Sequence, residues 1–187
     1  MNMYDIAVIG SGPAGASAAI FAAKAGKKTL VIDNDQGVTR RAWVKNHYGV
    51  EDIKGPDLVE VGNKQAAAFG AEYVRDKAVE IAKSEEGFII HSENGSYPAK
   101  HVILATGFLT DLAEKSGIKT VPGTEPRVKT IIQVDSSGKT NIDGIWAAGT
   151  CAGVSVHTII TAGDGAKVAI NVISEMNGER YVDHDVL

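Results

Sequence analysis

Three glycines near the amino terminus have the spacing of a phosphate-binding loop. Gly10, Gly12 and Gly15 follow a short apolar run at 4–9 and lead into an alanine-rich segment at 16–25. In a strand–loop–helix unit, the first glycine permits the tight turn and the second lets the backbone approach a pyrophosphate. The third lets the helix pack against the strand. Because a helix N-terminus also offers N–H groups to phosphate, the spacing predicts a dinucleotide-binding site.

An acidic residue, Asp33, stands where such a site places its ribose ligand. It ends a second apolar run, 29–32, and completes a β-α-β pattern in the first part of the chain. A carboxylate there accepts hydrogen bonds from a ribose and repels a 2′-phosphate, so it favours FAD or NAD over NADP. The alternative interpretation is a tight strand–helix turn that binds no ligand.

Two later segments decide between FAD and NAD. A buried strand at 102–104 runs into Ala105-Thr106-Gly107, and a turn and strand over 141–148 lead to Gly149. At these segments the sequence resembles the flavoproteins with two dinucleotide-binding domains, specifically the thioredoxin reductase family. Residues 105–107 resemble the second FAD motif of that family, and residues 140–149 resemble its third. Further matches, in chain order, are Asn46-His-Tyr-Gly49, residues 65–72 and residues 160–165.

The resemblance implies an FAD that lies extended over the carboxyl ends of the parallel strands. Its pyrophosphate is expected on residues 11–15, its adenosine ribose on Asp33, and its adenine on the backbone of Val79. Flavin contacts are expected near Asn46 and from residues 157–159. The predicted cofactor-binding residues are Gly10, Ser11, Gly12, Pro13, Ala14, Gly15, Asp33, Asn34, Asn46, Val79, Ala105, Thr106, Gly107, Gly149, Thr150, His157, Thr158 and Ile159.

The sequence departs from the family pattern in its middle and in its third motif. The family inserts a nicotinamide domain with a Cys-x-x-Cys between the second and third motifs. Here the segment between Gly107 and Thr140 is too short for a nucleotide fold and contains no cysteine. The chain therefore resembles the stand-alone flavin-domain proteins related to the reductases. Thr150 follows Gly149 where the motif carries Asp, and Val156-His-Thr158 matches an Arg-Gln-Ala that flanks the isoalloxazine.

Two residues are candidates for catalysis, each with a structural alternative. His157 precedes the last predicted helix, where it could stabilise a reduced flavin, shuttle a proton, or only hydrogen-bond and pack. Cys151 is the single cysteine, and it is either a redox thiol or a small buried residue. Asp164 is expected to cap the last helix or to contact a ligand. Trp43 and its basic neighbours either cover the flavin or belong to a solvated loop.

Composition limits the remaining function classes. The net charge of −4 over 187 residues argues against a nucleic-acid binder. No apolar run reaches the length of a membrane span, and no secretory signal is present, so we expect a cytoplasmic protein. The scattered histidines and lone cysteine predict no metal site. The length predicts one domain over residues 1–187.

The predicted fold is α/β, an FAD/NAD(P)-binding Rossmann-like domain with a parallel sheet. The first β-α-β unit is expected at the centre of the sheet, with an antiparallel three-stranded meander over residues 78–104. Helices are expected at 56–69 and 158–176, and residues 107–143 show little periodicity.

Three functions are compatible with these features. The leading one is an FAD-dependent oxidoreductase that receives electrons from NAD(P)H or from a partner protein. The second is a non-catalytic FAD-binding redox sensor or a subunit of a larger complex, and the third is an NAD-binding protein without flavin. An open flavin face is also compatible with a homodimer.

Overall fold

The computed structural model describes residues 3–186, which form eleven strands and four α-helices. In chain order they are β1 (Tyr4–Ile9), α1 (Pro13–Lys24), β2 (Thr29–Asp33), β3 (Trp43–Val44), β4 (Ile53–Lys54), α2 (Gly55–Ala68), β5 (Glu72–Arg75), β6 (Ala78–Ser84), β7 (Gly87–Ser92), β8 (Ser96–Leu104), α3 (Asp111–Lys115), β9 (Thr120–Pro122), β10 (Thr130–Ile132), β11 (Ile145–Ala147) and α4 (Thr158–Asn177).

The main sheet has seven strands in the order β5-β2-β1-β8-β7-β6, with β11 also paired to β8. Strands β5, β2, β1, β8 and β11 pair in parallel, so β1 lies near the centre of the sheet as predicted. Residues of β1 alternate between the two faces, and the stretch Ile6–Ile9 is buried throughout. A strand covered on both faces needs a continuous apolar sequence, which is what the run at 4–9 supplies.

The predicted meander is confirmed, and its third strand belongs to both parts of the sheet. Strands β6, β7 and β8 are consecutive and antiparallel. Residues 96–99 of β8 pair with β7, whereas residues 102–104 pair with β11. One edge of β8 thus carries two neighbours in succession, and the carboxyl end of β8 stays within the parallel part of the sheet.

Helices α1 and α4 pack on one face of the sheet and against each other through small residues. A Cβ added at Gly165 of α4 would lie 2.0 Å from the carbonyl oxygen of Ala14. This close approach brings the first half of α4 against the start of α1. The helix predicted at 158–176 is observed at Thr158–Asn177, and it ends at Gly178, which has a φ of 71°.

Helix α2 begins one residue earlier than predicted, and several short elements were not predicted. Gly55 occupies the first helical position of α2, because a Cβ there would lie 1.7 Å from the carbonyl oxygen of Thr39. The unpredicted elements are the β3–β4 hairpin, helix α3 and the β9–β10 hairpin. Among the described residues, no helix has the length and apolar character needed to cross a membrane.

Candidate functional site

A cleft of about 370 Å³ lies at the carboxyl ends of the central parallel strands. It is lined by the glycine-rich loop, by the residues that follow β2, β5 and β8, and by parts of the segment that leads into α4. Its predicted members are Gly10, Ser11, Gly12, Pro13, Ala14, Asp33, Asn34, Ala105, Thr106, Gly107 and Thr150. The structure therefore brings together residues from all three sequence motifs, which are far apart in the chain.

Each of the three loop glycines has a different structural environment. Gly10 adopts a φ of +105°, and a Cβ there would lie 2.3 Å from the carbonyl oxygen of Ala105. A Cβ at Gly15 would lie 1.9 Å from the carbonyl oxygen of Gly10. A Cβ at Gly12 would have no described protein atom within 4 Å. Gly10 and Gly15 are thus required by protein packing, whereas the space beside Gly12 is open toward the cleft.

Asp33 is joined to the glycine-rich loop by its carboxylate. The backbone N–H of Ser11 donates to Asp33 Oδ1 at 3.0 Å, and that of Asp35 donates to Oδ2 at 2.9 Å. Each carboxylate oxygen can accept a further hydrogen bond. Asp35 has a φ of 61° and forms ion pairs with Arg40 and Arg75, which fixes the turn after β2.

The second motif forms the wall of the cleft beside the glycine-rich loop. The N–H of Ala105 donates to the carbonyl oxygen of Ile9 at 2.8 Å, so the ends of β1 and β8 are joined. The Thr106 hydroxyl donates to the carbonyl oxygen of Leu109 at 2.5 Å and closes the turn through Gly107. This turn positions Leu109, which is 60% exposed, at the edge of the cleft.

The third motif turns sharply after β11. Gly149 has a φ of 81° and a ψ of −153°, and a Cβ there would lie 2.8 Å from Ala14 Cβ. Its N–H donates to Asp164 Oδ2 at 2.8 Å. Thr150 follows as a buried residue that lines the cleft. Gly149 itself does not line the cleft, and Asp164 binds the turn instead of capping α4.

Cys151 lies in the core beneath this turn. The side chain is 0% exposed and packs in the hydrophobic cluster on the face of the sheet opposite to α1 and α4. Its thiol donates to the carbonyl oxygens of Ala148 and Leu104. Burial raises the pKa of the Cys151 thiol, and a thiol without thiolate character is a poor nucleophile. These contacts favour the structural interpretation of Cys151 over the redox one.

We expect the Cys151 thiol to be unreactive in the folded protein. Ellman's reagent should modify it at least about a hundredfold more slowly in buffer than in 8 M urea, because access requires local opening of the core. The measurement is the rate of thiol release followed by absorbance. A native rate equal to the rate in urea would contradict the buried position of the thiol.

The residues at the start of α4 lie beside the cleft but do not line it. His157 is exposed, with its Nδ1 2.9 Å from the Ser155 hydroxyl. Thr158 Oγ1 lies 3.0 Å from His47 Nδ1, so the segment around Asn46 lies next to the N-terminus of α4. Asn46, His157, Thr158 and Ile159 are all absent from the cleft wall, and their role as flavin contacts stays a prediction.

The remaining residues that were predicted near the cofactor either pack within the protein or lie in solvent. Gly15 supports the loop from behind, and Val79 does not line the cleft although the preceding residue, Ala78, does. Trp43 is 63% exposed, with Lys45 Nζ 4.5 Å from its ring centroid. That pair does not line the cleft, which favours the solvated-loop interpretation.

Sequence reasoning missed Asp76, which lines the cleft after β5. Its carboxylate accepts hydrogen bonds from the Ser92 hydroxyl, the Asn94 side-chain amide and the backbone N–H of Lys77. The Ser92 hydrogen bond is the main cause that lowers the pKa of Asp76. The available signal was its position: Asp76 directly follows a parallel strand, as Asp33 ends one. Other unpredicted lining residues are Ile9, Ile32, Gln36, Gly37, Val38, Thr39, Lys77, Ala78, Phe108, Leu109, Asp111, Leu112, Ala148, Val156 and Thr161.

The cleft lies at the carboxyl ends of a parallel sheet and has a glycine-rich loop at a helix N-terminus and an acid at the end of the next strand. These features define a dinucleotide-binding α/β protein. The sequence profile of the pyridine nucleotide-disulphide oxidoreductase family matches residues 4–130. The chain belongs to this family.

Its relatives by sequence are thioredoxin reductases. That of Peptoclostridium acidaminophilum is 40% identical over 126 residues, which cover 65% of this chain and 40% of that protein. That of Aquifex aeolicus is 37% identical over 113 residues, which cover 57% of this chain and 34% of that protein. The match thus spans well under half the length of each relative.

Solved structures show the same fold at low sequence identity. A thioredoxin reductase from Gloeobacter violaceus superposes with a TM-score of 0.87 at 16% identity, covering 100% of both chains. An atypical thioredoxin reductase from Desulfovibrio vulgaris Hildenborough gives 0.83 at 21% identity, covering 95% of this chain and 99% of the other. A ferredoxin-flavin thioredoxin reductase from Clostridium acetobutylicum gives 0.73 at 20% identity, with the same coverage.

FAD is the cofactor of this family and of this chain. The residues of the cleft fit it. The backbone at Gly12 is open on the ligand side, and the start of α1 presents its N–H groups there. Asp33 has acceptor capacity left for a ribose, and Thr150 supplies a hydroxyl at the cleft wall. Among residues 3–186, no group of three His, Cys, Asp or Glu side chains is placed to hold a metal ion.

Proposed function

We propose that the protein is an FAD-dependent oxidoreductase that receives electrons from an external donor, either NAD(P)H or a partner protein. The observation that carries this proposal is the cleft, where the three motifs meet around an open Gly12 and a loop-bound Asp33. When bound, FAD supplies the redox chemistry, and the protein binds, orients and tunes it. Residues 1–187 would act as one domain.

In this proposal each wall of the cleft has a separate task. The backbone N–H groups of residues 11–14 bind the pyrophosphate, and the dipole of α1 adds to the attraction. The free acceptor sites of Asp33 hold the adenosine ribose. The Thr150 hydroxyl hydrogen-bonds the cofactor from the wall beside the start of α1, and the helix Thr158–Asn177 points its N-terminus toward the flavin end.

The exposed edge of the cleft is consistent with an electron donor that comes from outside the chain. Leu109 and Val156 line it and remain 60% and 42% exposed, so this edge is apolar and accessible. The segment between Gly107 and Thr140 forms only helix α3 and the β9–β10 hairpin, which cannot bind a second nucleotide in the manner of a β-α-β unit. Cys151 is buried, so electrons would leave the flavin without a thiol relay within the chain.

The proposal predicts a flavin spectrum that bleaches when the donor is added. The purified protein, reconstituted with FAD, is to be titrated anaerobically with NADH, then NADPH, then a reduced ferredoxin, while the visible absorbance is recorded. Rapid bleaching with one of them identifies the donor class. Free FAD at the same concentration controls for direct reduction in solution.

Two outcomes would contradict this proposal in different ways. A protein that stays colourless after incubation with FAD would contradict the cofactor assignment. A bound flavin that none of the donors reduces would favour the second candidate function, a non-catalytic FAD-binding redox sensor or a subunit of a complex. The buried Cys151 is the observation that favours this second candidate.

Assembly and location are further parts of the proposal. The apolar side chains at the start of α4, Val156, Ile159 and Ile160, are between 38% and 45% exposed. They are compatible with a homodimer, and sedimentation as a monomer at micromolar concentration would contradict one. A cytoplasmic location remains the prediction of the sequence.

A further inference from the structure

The turn after β11 depends on a carboxylate from α4. The N–H of Gly149 donates to Asp164 Oδ2 at 2.8 Å, across fifteen positions of the chain. The backbone of Gly149, with a φ of 81° and a ψ of −153°, is restricted to glycine. Within residues 3–186 this N–H has no other acceptor. Asp164 therefore fixes a turn that requires glycine at position 149 and that directly precedes Thr150.

Asp164 is a buried acid in the interior of a helix. It is 9% exposed, and its second carboxylate oxygen, Oδ1, forms an ion pair with Lys167 at 2.6 Å. Burial of a carboxylate is costly unless hydrogen bonds and a counter-charge compensate it. Both carboxylate oxygens of Asp164 therefore have a partner, and Oδ2 serves the turn after β11 and not α4 itself.

Asp164 also lies one helical turn behind the wall of the cleft. Thr161, three residues earlier on α4, lines the cleft, and so does Thr150 on the turn that Asp164 holds. Within the described part of the chain, the Thr150 hydroxyl makes no hydrogen bond to another protein group, although the residue is buried at the cleft wall. The arrangement leaves that hydroxyl available to a ligand.

We propose that Asp164 is a positioning residue for the wall of the cofactor site that the third motif forms: its buried carboxylate holds the Gly149–Thr150 turn and thereby presents the Thr150 hydroxyl to FAD. This inference rests on the proposed FAD site. Asp164 acts through Gly149 and Thr150 and does not contact the cofactor.

The positioning role can be tested by substitution. Asp164→Asn keeps an acceptor oxygen for the Gly149 N–H, whereas Asp164→Ala removes it. Asp164→Ala should weaken FAD binding at least about tenfold, because a hydrogen bond to a charged group is lost and the turn is released. Asp164→Asn should retain most of the affinity for FAD.

The test measures the FAD dissociation constant by fluorescence quenching, with Asp164→Asn as the matched control that keeps an acceptor for the Gly149 N–H. An Asp164→Ala dissociation constant equal to that of the unaltered protein, or equal losses of affinity in the two variants, would overturn the positioning role.

A measurement without FAD keeps this inference distinct from the proposed function. If the unaltered protein binds no FAD, the proposed function fails. Hydrogen exchange at the Gly149 amide of the apo-protein still tests the positioning role. Fast exchange in Asp164→Ala and slow exchange in Asp164→Asn support it, whereas equal exchange in both overturns it.

Discussion

Gly12→Ala should leave the fold of the protein intact and weaken FAD binding at least about a hundredfold. A Cβ at Gly12 would meet no described protein atom within 4 Å, and its φ of −66° and ψ of −174° suit alanine. The methyl group would instead occupy the space through which a pyrophosphate approaches the loop amides. The loss of one or two hydrogen bonds to a charged group costs about 3 kcal/mol, which corresponds to the hundredfold change.

The measurement combines FAD fluorescence quenching with the thermal midpoint of the apo-protein. Gly12→Ala should lower that midpoint by only about 2–4 °C, because alanine is a poorer helix N-cap than glycine by about 1 kcal/mol. Gly163→Ala is the matched control, since its Cβ would also meet nothing within 4 Å but lies on the exposed side of α4. Undiminished FAD affinity in Gly12→Ala would show that the pyrophosphate does not lie on this loop.

The parts of the fold that could be predicted from the sequence are those with local signals. The unit over residues 4–33 combines a buried apolar strand, a glycine loop and an alanine-rich helix, so each element agrees with its neighbours. Helices α2 and α4 follow from apolar periodicity and a closing glycine, and their observed ends differ from the predicted ones by a residue. The meander follows from strand-length runs and the turn at Asn94-Gly95.

The elements that were missed depend on contacts distant in sequence. The β9–β10 hairpin has strands of three residues, too short for a periodic pattern, and α3 has five. Thr110 is buried because its hydroxyl lies 2.6 Å from that of Thr130, which joins α3 to the hairpin. No local feature of residues 107–143 encodes that pair, so the sequence predicted an irregular segment there.

In the candidate site, too, residues with a local sequence signal were predicted, whereas contacts between distant segments were not. Asp33 was found from its place at the end of the second strand of the β-α-β pattern. Thr106 was found from the resemblance of residues 105–107 to the second FAD motif of the thioredoxin reductase family. Asp164 was left open between a helix cap and a ligand contact, and its actual partner is the N–H of Gly149. The choice depends on how α4 crosses α1, which is set by Gly165 against Ala14 and has no signature in either segment alone.

Gly15→Ala should destabilise the protein by about 3–5 kcal/mol, although alanine is the better helix former. A Cβ at Gly15 would lie 1.9 Å from the carbonyl oxygen of Gly10 and 3.3 Å from Ala105 Cβ. Relief of this overlap requires α1 to move away from β1 and β8, which opens the packing with α4 as well. Overpacking and the loss of helix–sheet contacts of this kind cost several kcal/mol, whereas helix propensity returns only about 1 kcal/mol.

Urea denaturation of the apo-protein, followed by far-UV circular dichroism, measures this difference. Gly163→Ala again provides the comparison, because the same substitution in α4 meets open space and should stabilise the protein by up to about 1 kcal/mol. The expected changes in the free energy of unfolding have opposite signs at the two helical glycines. The comparison therefore separates the effect of close packing from that of helix propensity. Equal stability of Gly15→Ala and the unaltered protein would mean that α1 does not pack as closely against the carbonyl oxygen of Gly10 as the structure shows.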